Sequence, residues 1–436
     1  MYEKINLILL LLNQVLEKME TVEEIPSNNN KINVYKKRFY ASIASALVHF
    51  YDVTFYEINL LTIIYSLLYV FGLLPINLIV DKYGIRAGIV LSSSFLSVGL
   101  ILKYLACSPH LYFVALIGQA MVALSTSYTY SCPMHIVPTW FPMNEINRAV
   151  SFLMVNIFIG LGIGFIPLPM IIANVKDKTV MAEKMRIFML TQAGISILLL
   201  ILIVIFFDDK PKLPPSASQH KANEYRESTS VFSSLKSLFK NRNYLVLMTS
   251  AGLINGVYST LLAILNQMLL SKFPQSQKEV GFIGMLLLIS GCFSSPFLGL
   301  ISKRFALKTL YKLNAIMLLC PLIFFSLLFK WHYVWLFFIA TPVLGFFFTC
   351  NTTLAMMFAS DLTYPYSESI SSSVLSAVNQ LFGIILTFLG SKFIIEFDAF
   401  VCNLAFLFLL MISVLLNCFI GDYKGREANE RILSDE

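Results

Sequence analysis

The apolar residues of this chain do not alternate, nor do they trace a stripe against a polar helix face. They come in unbroken runs of about 20 residues, enough for a helix to cross roughly 30 Å of hydrocarbon at 1.5 Å per residue, with the charges held back for the segments between. Eleven runs have that length: 58–80, 87–107, 111–132, 149–173 and 187–207, then 244–270, 280–301, 310–328, 333–359, 371–390 and 399–420. A shorter apolar piece, 39–51, precedes them and is too short to cross alone; counting it gives six helices in each half.

The pattern divides the chain into a polar N-terminal segment (1–38), a first helix bundle (39–207), a linker (208–243), a second bundle (244–420) and a polar tail (421–436). In the linker, Lys210-Pro211-Lys212-Leu213-Pro214-Pro215 reads as extended chain, because proline removes a donor and fixes φ. Beyond it, Val231, Phe232, Leu235, Leu238 and Phe239 recur at helical spacing beside Lys236 and Lys240, predicting a helix lying on the membrane surface.

Composition agrees with the pattern. Hydrophobic residues make up 57% and charged residues 13%, with a mean hydropathy of +0.74, whereas a soluble domain carries about one quarter charged residues. Continuous apolar runs exclude a β-barrel, whose strands alternate. The net charge of +7 does not point to nucleic acid, since the basic residues flank the spans. With the linker taken as cytosolic, that side gathers Lys82, Arg86, Arg148, Lys303, Arg304, Lys308, Lys312 and the linker and tail cations. The other side holds fewer, Lys103, Lys176, Lys178, Lys184 and Arg186 among them. This bias places both termini in the cytosol. The seven cysteines are scattered through the spans without metal-ligand spacing and read as packing residues. No metal site, cofactor or catalytic constellation is expected, so the chain is not read as an enzyme. The run 5–12 lacks a basic flank and a small-residue cleavage site, so a cleavable signal is not expected either.

Asp81-Lys82-Tyr83-Gly84-Ile85-Arg86 matches the loop signature D-x-x-G-x-R of major facilitator transporters, with a degenerate echo at Gly299 and Ser302-Lys303-Arg304-Phe305. Gly84 permits the tight turn, while Asp81 and Arg86 can pair with each other or with a neighbouring helix end. Together with the six-plus-six spacing, this predicts an all-α membrane protein of the major facilitator fold, two bundles rocking about a midplane site.

At finer grain the chain resembles the feline leukaemia virus subgroup C receptor family of these transporters. The likeness rests on Phe50-Tyr51-Asp52-Val53-Thr54, Tyr69-Val70, Gly118-Gln119, Trp140-Phe141 and Glu145 in the first half. In the second it rests on Leu265-Asn266-Gln267-Met268, Leu344-Gly345-Phe346-Phe347, Thr363-Tyr364-Pro365 with Glu368, and Gln380 with Phe382-Gly383-Ile384. The resemblance implies transport of choline, ethanolamine or haem. It assigns the family's substrate-facing eleventh-helix glutamine to Gln380. The seventh-helix tyrosine falls at Ser259, with Tyr258 as the substitute one position earlier. The fifth-helix glutamine falls at Phe158, with Asn156 half a turn away. Nothing matches the first-helix tryptophan, so that helix is expected to be short or truncated.

Read from the residues, amides such as Gln119, Asn156, Asn255, Asn351, Asn379 and Gln380 lie within spans, where burial in hydrocarbon is costly and turns them toward the bundle interior. Span centres lack carboxylates. The expected function is facilitated uniport of a small organic cation, its ammonium held by the aromatic faces of Tyr258, Phe158 and Tyr51 and by the Gln380 carbonyl. Haem export, with His135 and Met268 as available ligands, is the alternative within the fold; a non-transporting receptor or scaffold is the alternative outside it. The lipid bilayer is the expected surroundings, and the plasma membrane the expected address.

Overall fold

The computed structural model describes residues 43–142, 145–164, 177–209, 211, 231–273, 276–302, 304–331, 333–364, 366 and 368–421. They form helices α1 (Ile43–Tyr51), α2 (Phe55–Tyr83), α3 (Ile85–Leu105), α4 (Tyr112–Thr129), α5 (Cys132–Trp140), α6 (Ile146–Gly164) and α7 (Lys178–Phe206) in the first half. The linker contributes α8 (Val231–Lys240). The second half holds α9 (Arg242–Lys272), α10 (Gln277–Ile289), α11 (Gly291–Ile301), α12 (Leu307–Leu328), α13 (Phe337–Leu362), α14 (Glu368–Glu396) and α15 (Ala399–Cys418).

Local chemistry sets several of these boundaries. Thr54 and Glu57 form a reciprocal capping box at the start of α2 (Glu57 N to Thr54 Oγ1 3.3 Å, Thr54 N to Glu57 Oε2 2.7 Å). α2 ends at Gly84, whose φ of 90° suits glycine and whose N–H reaches Val80 O at 2.8 Å. Asn241 caps α9 by accepting from the Asn243 and Tyr244 amides.

One of the eleven expected spans is split in two, and another is followed by a helix the hydropathy pattern does not mark. The run 111–132 is helical to Thr129 as α4, and α5 starts at Cys132 and continues beyond the run to Trp140, with Pro133 unable to donate back into the preceding turn. The run 280–301 breaks at Ser290-Gly291, where the Ser290 hydroxyl turns back to Leu287 O at 2.7 Å. Among the described residues nine helical segments are long and apolar enough to span a membrane. α4 is not one of them, because Gln119, Ser125, Thr126, Ser127 and Thr129 lower its mean hydropathy; all five are buried. The described part of the first helix, α1, is nine residues long, about 14 Å. The basic run Lys36-Lys37-Arg38 and the Asp81 side chain lie outside the described ones. Asp52 follows α1 and pairs with Lys178 at the start of α7. That hydrogen bond holds the Asp52 carboxyl below its ordinary range, so the pair persists into mildly acid solution.

Lys103 corrects the charge count above. Instead of facing water at the outer end, it is only 6% exposed. Its Nζ donates to Gln119 Oε1 on α4, at a place where Gly99 and Gly118 bring α3 and α4 together. A lysine buried within a span is tolerated because an amide oxygen meets its donor.

The buried apolar residues fall into three cores. One lies at the linker end and draws on both halves: Val80, Ile136 and Leu153 from the first, Tyr244, Leu354 and Val374 from the second. At the opposite end each half has its own, around Phe50, Tyr112 and Met185 in the first and around Leu265, Phe325 and Phe337 in the second. The two bundles are thus packed together at the linker end and have separate cores at the other. α8 forms where the periodicity predicts it. Its Leu238 is buried and it packs on α9 and α14, while Phe239 (51% exposed), Lys236 and Lys240 face outward.

Candidate substrate site between the two bundles

Gln380 and Ser66 sit near the midpoints of α14 and α2, one from each half. Gln380 is half-buried, and its Nε2 donates to Ser66 Oγ at 3.2 Å. Toward the linker end the same helix pair is joined again, by Asn77 Nδ2 to Ser373 Oγ at 2.8 Å, both residues fully buried. Gln380 therefore stands at mid-height, between the shared core on one side and the separate cores on the other. The sequence reading named Gln380 but not Ser66; 314 positions separate them, and no local periodicity reports such a partner.

Tyr258 turns onto α13, where its ring stacks on Phe348 at 5.2 Å and 25°. One turn before it, Asn255 Oδ1 accepts from Thr352 Oγ1 at 2.5 Å, so a polar contact and an aromatic contact pin α9 to α13 side by side. Ser259 is exposed and faces α14 beside Gly383. The position matching the family tyrosine and its substitute thus look at different helices, as the 100° step per residue requires. Phe348 was missed because an apolar residue in an apolar run carries no signal of its own.

Phe158 is buried on α6 with its ring against Gly291 (a Cβ there would lie 2.4 Å from Phe158 Cγ), so in this arrangement it seals the two halves at the α10–α11 break. Asn156 is buried on the same helix. Tyr51 belongs to the outer core of the first half: its hydroxyl donates to Ala106 O at 3.1 Å and its ring meets Phe50 and Tyr112 edge-on. The structure does not gather Tyr51 with Gln380. His135 lies on α5 at the linker end, whereas Met268 is in the outer core of the second half, so these two offer no common axial site for haem. Among the described residues no group of His, Cys, Asp and Glu is arranged for a metal ion.

The signature loop is knitted to the end of α7. Asp209 Oδ1 accepts from the Arg86 amide at 2.9 Å, and Arg86 Nη2 donates to Val204 O at 2.8 Å. A Cβ on Gly84 would come within 2.3 Å of the Asp209 carboxylate. Of the two pairings open to Arg86, the guanidinium makes the one with a helix end.

Known proteins agree with this architecture. Residues 33–391 match the family model described as Major Facilitator Superfamily. Among solved structures, the transporter FucP in its outward conformation aligns with a TM-score of 0.71 over 97% of this chain and all of its own, at 12% identity. The proton:xylose symporter XylE aligns with a TM-score of 0.67 over 98% of this chain and 99% of its own, at 11% identity. The fold is that of a multi-pass facilitator-type membrane transporter. Choline/ethanolamine transporter FLVCR2 of Rattus norvegicus is 31% identical over 401 residues, covering 91% of this chain and 73% of that protein. Choline/ethanolamine transporter FLVCR1 of Felis catus is 27% identical over 394 residues, covering 89% and 70%. The chain belongs to the major facilitator superfamily and, within it, to the FLVCR family.

Proposed function

We propose that this protein carries choline or ethanolamine across the membrane by facilitated uniport, with Gln380 at the centre of the substrate site. The observation that carries the reading is the Gln380–Ser66 contact, a half-buried amide at mid-height where the two halves meet. A polar group at that height is one that rocking of the bundles would present to either end in turn. The stacked Tyr258–Phe348 pair on neighbouring helices is the proposed aromatic face, each such face being worth roughly 0.5–2 kcal/mol toward a cation. Phe158, Asn156 and Tyr51 are held in reserve as contacts made when α6 and α1 move. The Asp81–Gly84–Arg86 loop is the proposed gating element. The names of the relatives support the substrate class.

Uniport is supported by the charge distribution. The described acidic residues of the spans sit at helix ends, such as Glu57, Asp361 and Glu368, not at the height of Gln380. Radiolabelled choline uptake into proteoliposomes is expected to follow the choline gradient with or without a pH gradient. Gln380→Ala is expected to cut it about twofold to tenfold, the worth of one hydrogen bond, with the amount of inserted protein unchanged. Strict dependence on a proton gradient overturns uniport; normal uptake by Gln380→Ala overturns the site. Surface biotinylation of expressing cells tests the proposed plasma-membrane location.

A further inference from the structure

Ser66 is buried (6% exposed) whereas Gln380 is half-open. Among the described residues the Ser66 hydroxyl makes no other side-chain hydrogen bond. Ser66 is thus the more buried partner of the pair and Gln380 the more accessible one. The chemistry of an amide makes this consequential. Gln380 has one end that donates and one that accepts, and they exchange by a half-turn about the last side-chain bond. A cation can use only the accepting end. Nε2 is the end bound to Ser66 Oγ in the structure, which leaves Oε1 for the ligand.

We propose that Ser66 is a positioning residue: by accepting from Gln380 Nε2 it holds the Gln380 carbonyl oxygen toward the substrate cation, and so favours substrates that bring N–H donors. This rests on the reading of Gln380 as a substrate contact. The two amines separate the roles. Ethanolamine carries a primary ammonium with three N–H donors and gains a charge-assisted hydrogen bond from an oriented oxygen. The quaternary nitrogen of choline has no N–H and depends more on aromatic faces. An amide free to turn costs ethanolamine more than choline.

The test is initial-rate uptake of radiolabelled ethanolamine and choline in proteoliposomes, normalised to inserted protein, for wild type, Ser66→Ala, Ser66→Thr, Gln380→Ala and the Ser66→Ala/Gln380→Ala pair. Ser66→Ala is expected to raise KM for ethanolamine about threefold to tenfold, with a smaller rise for choline and maximal rates held. Ser66→Thr keeps the hydroxyl and restores both values. The double variant is expected to be no worse than Gln380→Ala, because Ser66 acts only through the amide. If Gln380→Ala is impaired while Ser66→Ala is normal, changes both substrates equally, or adds fully to Gln380→Ala, the positioning role is overturned and the site stands. If Gln380→Ala is itself normal, the site is overturned, and the role of Ser66 with it.

Discussion

At Gly345 the backbone of α13 comes so close to the α10–α11 break that a Cβ would lie 2.1 Å from Leu287 O and 2.3 Å from Ser290 Oγ. A carbonyl in a helix cannot yield as a flexible side chain can, so Gly345→Ala must separate two helices. Overpacking of this kind costs about 1–3 kcal/mol, and Gly345→Ala is expected to lower the melting temperature of the purified protein clearly. Gly194 and Gly281 are helical too, but nothing lies within 4 Å of their added Cβ. Alanine at either is expected to leave the melting temperature unchanged or slightly higher, since glycine is the poorer helix former. Equal melting temperatures for all three variants would remove the close approach from the account. None of these differences is written in the local sequence. Gly345 sits in a run, Leu344-Gly345-Phe346-Phe347, that resemblance picks out without a reason; the reason is a carbonyl 58 residues earlier. Lys103 was likewise misplaced because its partner Gln119 comes only after the α3–α4 turn, and a lysine near the end of an apolar run looks like a loop cation until that partner is seen.

Helices were the most legible part of the chain. Apolar runs mark them because a segment that spans hydrocarbon must satisfy its backbone internally, and the positions of α2, α3, α7, α9 and α12 to α15 follow. Breaks were less legible: the Ser290-Gly291 pair interrupts a run whose hydropathy does not drop there, and the hydropathy pattern does not mark α5. How one element holds another was hidden altogether, as the start of α3 shows. Its first turn has unsatisfied amides, and Asp209, from beyond the end of α7, supplies an acceptor to the Arg86 amide while Arg86 returns a bond to Val204 O. Removing a side-chain acceptor at a helix start costs about 0.5–2 kcal/mol. Asp209→Ala is therefore expected to lower thermal stability, and Asp209→Asn, which keeps an acceptor oxygen, to lower it less. Gly84→Ala is expected to be worse than either, because it adds a Cβ at φ 90° and drives it into the Asp209 carboxylate. Combining Gly84→Ala with Asp209→Ala recovers only the steric part. Full recovery in the double variant would show that the backbone at Gly84 carries no strain.

The buried cores are distributed unequally between the two ends of the molecule, and the proposed rocking of the bundles would have to act on that difference. A single core joins the halves at the linker end, while the halves keep separate cores opposite. On the proposed site, a substrate at Gln380 can leave toward the linker only if that shared core parts, and the Asn77–Ser373 hydrogen bond with it. Burial alone would make this expensive, but the two polar groups exchange one another for water as the end opens, which is how a closed end stays reversible. Tying that contact should stop the cycle. With Cys320 and Cys418, the exposed cysteines, replaced by Ser, Asn77→Cys and Ser373→Cys can be joined by a short reducible bifunctional thiol reagent during turnover. Uptake of choline or ethanolamine is expected to fall to the level of empty liposomes in proportion to the crosslink found by mass spectrometry. It is expected to return on reduction, whereas either single cysteine variant treated alike should keep transporting. Complete crosslinking with undiminished uptake would mean that the substrate crosses without parting α2 from α14 at this end, and rocking of the two bundles would have to be abandoned as the mechanism.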